Sequence, residues 1–468
     1  MQPAAAKAVR LADQSAVLST TGQFGGCSAL WNVRSYQVAS PRYLAFAKQQ
    51  GSPLFPRDTE PVLQEEKGTR QISGVGFVLA VYAASRIFYL IAGFLLSKFV
   101  PTSSHQLTTT DVPPGTLNIW SYWDGEHYVA LALNGYFQAP RYISPAFFPM
   151  YPLLLRSFSA VFGGPLSKEA FSYWGSLLSL LFLPFAFYFI YQIAFEGWGE
   201  RTAKGTLLAL AFFPTTFFLN ATYTESLFLA LSAGSLWAIR VRKNLLLACI
   251  LAGFATATRN VAIFLIVPVT YEWIKQGGMK TPRERWRGLY LALAPSGLVV
   301  YMGYLWIKFG DPLLFYSSQK YWKREAAGPL VTATRAWDTA VEGSNILSDP
   351  GLWAHPNVQS LADHLERANS VYNLAFLIFV IVVLLAGLRE LPVSLIIYSL
   401  LLVVPPALYG TPDIPLMGIP RYVLVAFPIF IVLGLLARKK LLFAGCLIIS
   451  IIVSLILCAL FVSWRFVA

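Results

Sequence analysis

The sequence predicts an all-α polytopic membrane protein, a bundle of about eleven transmembrane helices with further helices lying on the non-cytoplasmic surface. Three observations predict it. The 468-residue chain is 56% hydrophobic and only 13% charged, where a soluble domain is about one-quarter charged. Apolar runs of roughly 18 or more residues recur along most of the chain, each long enough to cross a bilayer as a helix. The runs are continuous, without the polar–apolar alternation of a membrane β-barrel.

The net charge of +13 does not point to nucleic acid. Lys and Arg cluster in short loops between apolar runs, as expected for the cytoplasmic loops of a membrane protein. Of the four cysteines, Cys27 lies in the polar N-terminal stretch and Cys249, Cys446 and Cys458 lie in apolar runs. Their spacing fits neither a disulfide framework nor a metal cluster. His105, His355 and His364 sit in polar loops without ligand spacing. No cofactor is expected, and dependence on a divalent metal stays open.

The elements follow in order. Residues 1–70 mix Pro, Gly, Gln and charges and lack the apolar core of a cleaved signal peptide, so a disordered cytoplasmic tail is expected. The first span is expected at 72–98. A polar stretch follows from 99, and then the apolar run 144–164, broken by Pro149 and Pro152 and interrupted by Arg156. Further spans are expected near 170–195, 203–220, 223–239, 245–258, 261–274, 288–308, 371–388, 391–409, 420–437 and 441–463. Residues 309–370 are polar and too long for a connector, which suggests a folded cap outside the bilayer.

Topology follows from the basic loops. Arg240, Arg242 and Lys243 form one, the residues from Lys275 to Arg287 the strongest, Arg389 a weak one, and Arg438, Lys439 and Lys440 the last. All fall on the cytoplasmic side only if 144–164 lies on the outer surface instead of crossing. The N-terminus is then inside and the C-terminus outside. Four polar segments, Trp120–Tyr136, Asn220–Glu225, Gly310–Arg324 and Pro412–Tyr422, share the non-cytoplasmic side.

Those segments hold the residues able to carry chemistry. In WSYWDGEHYVALALNGY, Asp124 and His127 are three residues apart and share a helix face, while Glu126 points elsewhere. The aromatics Trp120, Tyr122, Trp123, Tyr128 and Tyr136 fit either an interfacial belt or the walls of a sugar site. Glu225 opens an apolar run, where a helix dipole favours an acid. Asn220-Ala221-Thr222 matches a glycosylation sequon, in a turn too tight to serve as an acceptor. Arg86 lies mid-span, where arginine must face a partner or a polar cavity. Arg259 and Arg421 sit at non-cytoplasmic helix ends, and phosphate binding would explain arginine there. Lys308, Lys320, Lys323 and Arg324 read either as attractors of an anionic headgroup or as surface charges.

Together these motifs resemble the PIG-V family, which contains the second mannosyltransferase of GPI-anchor assembly and prokaryotic relatives. The first luminal loop of that family is similar to Trp123-Asp124-Gly125-Glu126-His127-Tyr128, then Gly135-Tyr136, then Ala146-Phe147-Phe148-Pro149 with Pro152. Tyr223-Thr224-Glu225-Ser226-Leu227-Phe228, Ala257-Thr258-Arg259-Asn260, Gly310-Asp311-Pro312-Leu313 with Gln319 and Trp322, and Pro420-Arg421-Tyr422 continue the resemblance in order over about 75–437. The chain departs from the family at Gln138, where the eukaryotic branch has Glu, and at Val261, where a Gly is usual.

The resemblance implies a C-type glycosyltransferase that takes a sugar, mannose by the same resemblance, from a polyprenyl- or dolichyl-phosphate carrier on the non-cytoplasmic face. It implies a catalytic transmembrane module at 71–308 that includes the 99–164 outer loop, the 309–370 cap, and C-terminal helices at 371–468. A hydroxyl acceptor needs a positioned base, for which Asp124 is expected, with His127 and Glu225 orienting it. The phosphate leaving group needs cations, for which Arg86, Arg259 and Arg421 are expected. Trp123, Glu126, Tyr136, Tyr223, Asn260, Gln319 and Tyr422 are expected to hold sugar or acceptor. The partners implied are the lipid-phosphate donor, a glycolipid or glycan acceptor and membrane lipid. The membrane would be the plasma membrane of a prokaryote or the endoplasmic reticulum of a eukaryote. The competing reading is a transporter or flippase of lipid-linked sugars, favoured by Arg86 alone, since transporters place polar sites at mid-membrane.

Overall fold

The computed structural model describes residues 60–103, 117–138, 143–354 and 357–467. The expected disordered tail at 1–70 and His105 therefore lie largely or wholly outside the described residues. The chain divides into two units, 1–67 and 68–468. Of the first, only the helical residues 60–67 are described, and the account below concerns the second.

The described chain is almost entirely helical. Helix α1 (Glu60–Phe99) carries the first apolar run. Two short helices follow, α2 (Asp124–Gln138) and α3 (Met150–Val161), the latter starting right after Pro149 and no longer than a surface helix. Helix α4 (Lys168–Trp198) begins at Ser167, whose hydroxyl accepts from the amide of Ala170 at 3.2 Å, and ends at Gly199. Then come α5 (Glu200–Ala211), α6 (Glu225–Arg240), α7 (Leu245–Thr256), α8 (Ile266–Lys275) and α9 (Pro282–Arg287). Helix α10 (Ser296–Phe309) packs closely on α7: a Cβ on Gly297 would lie 2.2 Å from the carbonyl oxygen of Gly253, the small-residue contact that lets membrane helices approach.

The expected cap is itself helical, with α11 (Leu314–Ser317), α12 (Pro329–Leu347), α13 (Pro350–Ala354) and α14 (Val358–Arg367). Helices α15 (Asn369–Gly387), α16 (Val393–Ala407), α17 (Ile419–Val425), α18 (Pro428–Leu435) and α19 (Lys440–Val462) complete the chain. One two-residue ladder pairs β1 (Glu325–Ala326) antiparallel with β2 (Tyr409–Gly410), Glu325 opposite Gly410. It ties the start of the cap to the loop after α16.

The span count differs from the eleven expected. Among the described residues, four helices are long and apolar enough to cross a bilayer: residues 74–99, α4, α15 and α19. The total reaches six if two bent pairs each count as one span, residues 282–309 with a 43° bend and residues 419–438 with a 72° bend. Several expected spans are shorter pieces, because buried non-helical or 3-10 segments interrupt them. The run 203–220 ends as a helix at Ala211, and the run 261–274 opens with a 3-10 segment, Asn260–Leu265. Irregular backbone at such depth is tolerated only where protein surrounds it.

Candidate active site

Residues 215–224, between α5 and α6, are all buried, so most of their polar groups are answered from within. Ser176 and Ser179 of α4 donate their hydroxyls to the carbonyls of Asn220 and Ala221, each at 2.7 Å. The amide of Thr222 donates to the carbonyl of Trp120 at 2.8 Å, and the Tyr223 hydroxyl donates to the carbonyl of Tyr122 at 3.0 Å. Arg86 of α1 donates through Nη1 to the carbonyl of Thr216 (3.1 Å) and to Asn220 Oδ1 (2.8 Å), and through Nη2 to the carbonyl of Ala211 (3.0 Å).

This corrects the role expected of Arg86. It is 2% exposed and its guanidinium is taken up by the end of α5 and the loop behind it. Asn220, 0% exposed, is closed to any glycosylating enzyme, consistent with the tight turn read from the sequence.

The sealed loop delivers Glu225 to the first turn of α6, fully buried. Glu225 Oε1 accepts from Arg259 Nη1 at 2.9 Å and from Arg421 Nε at 2.7 Å. Arg421 Nη1 in turn donates to Asp124 Oδ2 at 2.6 Å. Two carboxylates and two guanidinium groups from four distant segments thus form one chain, Asp124–Arg421–Glu225–Arg259. Its side chains are 34%, 11%, 0% and 11% exposed in that order, so it opens to solvent at Asp124. Rings fix the cations from the sides. Arg421 lies over Tyr223 at 4.6 Å, and Arg259 over Tyr422 at 5.1 Å and Phe228 at 5.7 Å.

Local backbone explains why these residues meet. Arg421 follows a loop in which Gly410 presses on Pro415, where a Cβ would lie 1.8 Å from the carbonyl oxygen, so only glycine closes that turn. Asp124 begins α2 after Trp123, whose φ of 58° is in the left-handed region that bulky residues avoid. The turn is tied by the amides of Gly125 and Glu126, which donate to the carbonyls of Tyr122 and Trp123 at 3.1 and 3.0 Å.

The chain of charges faces a cavity of about 730 Å³. Of the residues expected at a site, Asp124, His127, Arg259, Arg421, Trp123, Glu126, Asn260, Gln319 and Tyr422 line it. Glu225 and Tyr223 lie behind that surface, against Arg421. Tyr136 does not reach the cavity: its hydroxyl donates to the carbonyl of Phe147 at 2.5 Å and its ring packs on Tyr301 and Tyr304. Trp464 and Phe466 line the cavity, and the sequence gives no hint of them. Arg324 lines it too, with a buried Nε that has no hydrogen-bond partner, which marks it as a donor waiting for an acceptor.

Electrostatics separates the two ionisable groups of α2. Burial pushes the Asp124 carboxyl up, but the charge and hydrogen bond of Arg421, with His127 and Arg324 adding to them, hold it below the ordinary carboxylate range. Burial pulls the His127 imidazole down, against the opposing charge of Asp124. It stacks on Phe147 at 4.6 Å.

A second, apolar groove of about 630 Å³ adjoins the first. Neighbouring residues divide between the two: Phe148, Thr258 and Leu298 face the cavity, and Pro149, Ala257 and Gly297 face the groove. Leu153, Phe254 and Val300 line the groove and are 59%, 48% and 71% exposed, a surface suited to lipid. Tyr136 belongs here.

No family model matches the sequence, and no curated protein matches it. Among solved structures the chain is similar to ArnT from Cupriavidus metallidurans bound to undecaprenyl phosphate, at 12% identity and a TM-score of 0.44, covering 80% of this chain and 62% of that one. It is similar to the oligosaccharyltransferase of Archaeoglobus fulgidus in the apo form, at 12% identity and a TM-score of 0.42, covering 82% of this chain and 56% of that one. The chain thus spans less than two-thirds of the length of either. At these values the likeness supports no assignment.

Proposed function

We propose that the chain is a membrane glycosyltransferase of the C type, which moves a sugar from a polyprenyl- or dolichyl-phosphate carrier to a hydroxyl acceptor on the non-cytoplasmic face. The observation that carries this reading is the shared wall between a charged cavity and an apolar, lipid-facing groove. A lipid-phosphate sugar needs both, because its chain belongs in hydrocarbon and its phosphate beside guanidinium groups.

The non-cytoplasmic side is supported by α6. Glu225 begins it and Arg240, in the first basic loop, ends it, so the cavity lies roughly 24 Å from that loop at 1.5 Å per residue. Basic loops mark the cytoplasm, which leaves the cavity on the other side.

The acceptor hydroxyl attacks the anomeric carbon as its proton passes to Asp124. The bond from that carbon to the phosphate oxygen breaks with its electron pair on oxygen, and the sugar inverts. The departing lipid phosphate gains one negative charge, which Arg324 and Arg421 are placed to stabilise. Glu225 and Arg259 hold Arg421, and Arg421 keeps Asp124 ionised. Trp123, Glu126, Asn260, Gln319 and Tyr422 surround the space left for sugar and acceptor. Mannose as the sugar rests on the resemblance to the PIG-V family. The transporter reading draws no support from Arg86, which is locked to backbone carbonyls.

The test is transfer of labelled mannose from polyprenyl-phosphate-mannose in proteoliposomes holding the full chain and a glycolipid acceptor. Asp124→Asn should lower turnover by about 10²–10⁴-fold with donor binding retained. Full turnover in that variant would remove Asp124 as the base. Movement of intact lipid-linked sugar across the bilayer without transfer would favour the transporter.

A further inference from the structure

One wall of the cavity takes no part in the proposed chemistry, and its construction is unusual. Beyond α19 the chain folds back, and Trp464 and Phe466 enter the cavity wall. Arg465 between them is 0% exposed. It donates through Nε to Asp363 Oδ1 of α14 and through Nη1 to the carbonyl of Pro101, each at 2.8 Å. The Phe466 amide donates to Glu366 Oε1 at 2.7 Å, and the Ser103 amide to the carbonyl of Ser463 at 2.9 Å. Two separate parts of the chain, residues 101–103 and α14, thus grip residues 463–466.

What the grip holds is Trp123. The Trp464 ring lies 4.5 Å from Tyr122 and 5.5 Å from Trp123, and Phe466 meets Trp123 edge-on at 5.3 Å. Trp123 and Trp464 both have left-handed backbone, at φ 58° and 61°. For tryptophan such backbone is costly, and it persists only where the surroundings over-determine it. The strained residue directly precedes Asp124. If Trp123 relaxed to ordinary backbone, α2 would start differently and Asp124 would leave Arg421.

We propose that residues 463–466, locked by Arg465, form a positioning element that clamps Trp123 in its left-handed conformation and so sets Asp124 against Arg421. Arg465 touches no reacting atom and acts through Trp464 and Phe466. The inference rests on the proposed transferase only for its kinetic consequence.

The experiment uses the full chain in lipid nanodiscs, with Arg465→Ala, Arg465→Lys and Trp464→Ala. Hydrogen exchange at the amides of Gly125 and Glu126 should quicken by about tenfold or more in Arg465→Ala, while the amides of α6 keep their rate, because local opening is read independently of global stability. Arg465→Lys should fall between, since a lysine keeps the charge but not the forked contacts. Trp464→Ala should match Arg465→Ala with the pair to Asp363 intact.

Where mannose transfer is measurable, Arg465→Ala should lower kcat about 10–100-fold at little-changed donor KM. The acid limb of kcat/KM should move to higher pH, as Asp124 loses Arg421 while Arg324, His127 and Tyr223 still face it. Unchanged exchange at 123–127, or an equal rise along the whole chain, would overturn the inference. A wild-type chain that transfers no sugar would overturn the transferase reading and leave the exchange result to decide this one.

Discussion

The two ends of α6 carry the same chemistry with opposite outcomes. At the basic end Arg240 pairs with Glu272, and Ser394 donates its hydroxyl to the same carboxylate oxygen and accepts from Arg240 at 2.8 Å. These residues border neither cavity described above. At the other end Glu225 holds two arginines, and the second reaches on to Asp124 at the cavity. The difference shows that a buried ion pair is not a site by itself. A site needs charges linked to groups that can change partner. Arg240 has neutral Ser394 and Glu272 within its own closed cluster, whereas Arg421 has Asp124 on the open side, which under the proposed function an incoming phosphate would displace.

The largest break in that comparison is Arg421→Ala. It leaves Glu225 buried with Arg259 as its remaining cation and frees Asp124 from its hold. Breaking a buried pair by removing one partner costs about 3–5 kcal/mol, and the leaving phosphate loses a cation as well. Mannose transfer should fall by more than 10²-fold in the fraction that folds. Arg421→Lys should recover folding better than turnover, since lysine cannot bridge both carboxylates with a fork. Turnover near wild type in either variant would sever the cavity from the chemistry.

At the opposite end, Glu272→Ala should reverse the pattern. Arg240 and Ser394 would lose their shared acceptor, and stability in detergent should drop by about 3–5 kcal/mol, read as a lower Tm. The kcat and KM of the protein still folded should stay at wild-type values. A change in kcat without a change in Tm would show that the two ends communicate through α6.

The sequence tells these ends apart only in part. Helix positions were legible because apolar runs of spanning length announce themselves. Their interruptions were not, since the loop 212–224 reads as apolar and its carbonyls are answered by Ser176, Ser179 and Arg86 from elsewhere in the chain. Asp124, His127, Arg259 and Arg421 stood out as polar residues in apolar surroundings. The same criterion misplaced Arg86, because a mid-span arginine solvated by carbonyls looks no different in sequence from one facing a substrate. Tyr136 shared the aromatic stretch of Trp123 but packs on α10, and no local pattern separates the two. Arg465, Trp464 and Phe466 were invisible, since their partners at Asp363, Tyr122 and Trp123 lie 100 or more residues away. Arg324 was visible as a charge, and only its unpartnered Nε distinguishes it from surface lysines.

A smaller effect should follow from Arg324→Ala. Its pairing with phosphate would be a charge-assisted hydrogen bond, of about 1.5–3 kcal/mol. Donor KM should rise about 10–100-fold, with Tm little changed because no hydrogen bond to a protein acceptor is lost. Added salt should weaken wild-type donor binding more than that of the variant. An unchanged KM would return Arg324 to the surface charges and leave Arg421 alone with the phosphate.

The finest test separates the empty site from the occupied one by pH. In the empty site Arg421 holds the Asp124 carboxyl below its ordinary value of about 3.9. Its ionised form is therefore favoured in the folded chain, and the stabilisation it gives is present above the unfolded value and lost as pH falls through the folded one. A carboxyl held so low is a poor base. Arrival of the donor phosphate changes this, since it competes for Arg421 and brings its own negative charge, and both effects raise the carboxyl. The kcat/KM profile reports the free enzyme and the kcat profile the complex, so the acid limb of kcat should lie at higher pH than that of kcat/KM. The two limbs should draw together in Arg324→Ala, where the empty-site hold is weaker. Coincident limbs in the wild type would mean that Asp124 keeps Arg421 throughout turnover, and the exchange of partners that distinguishes this end of α6 from the other would not occur.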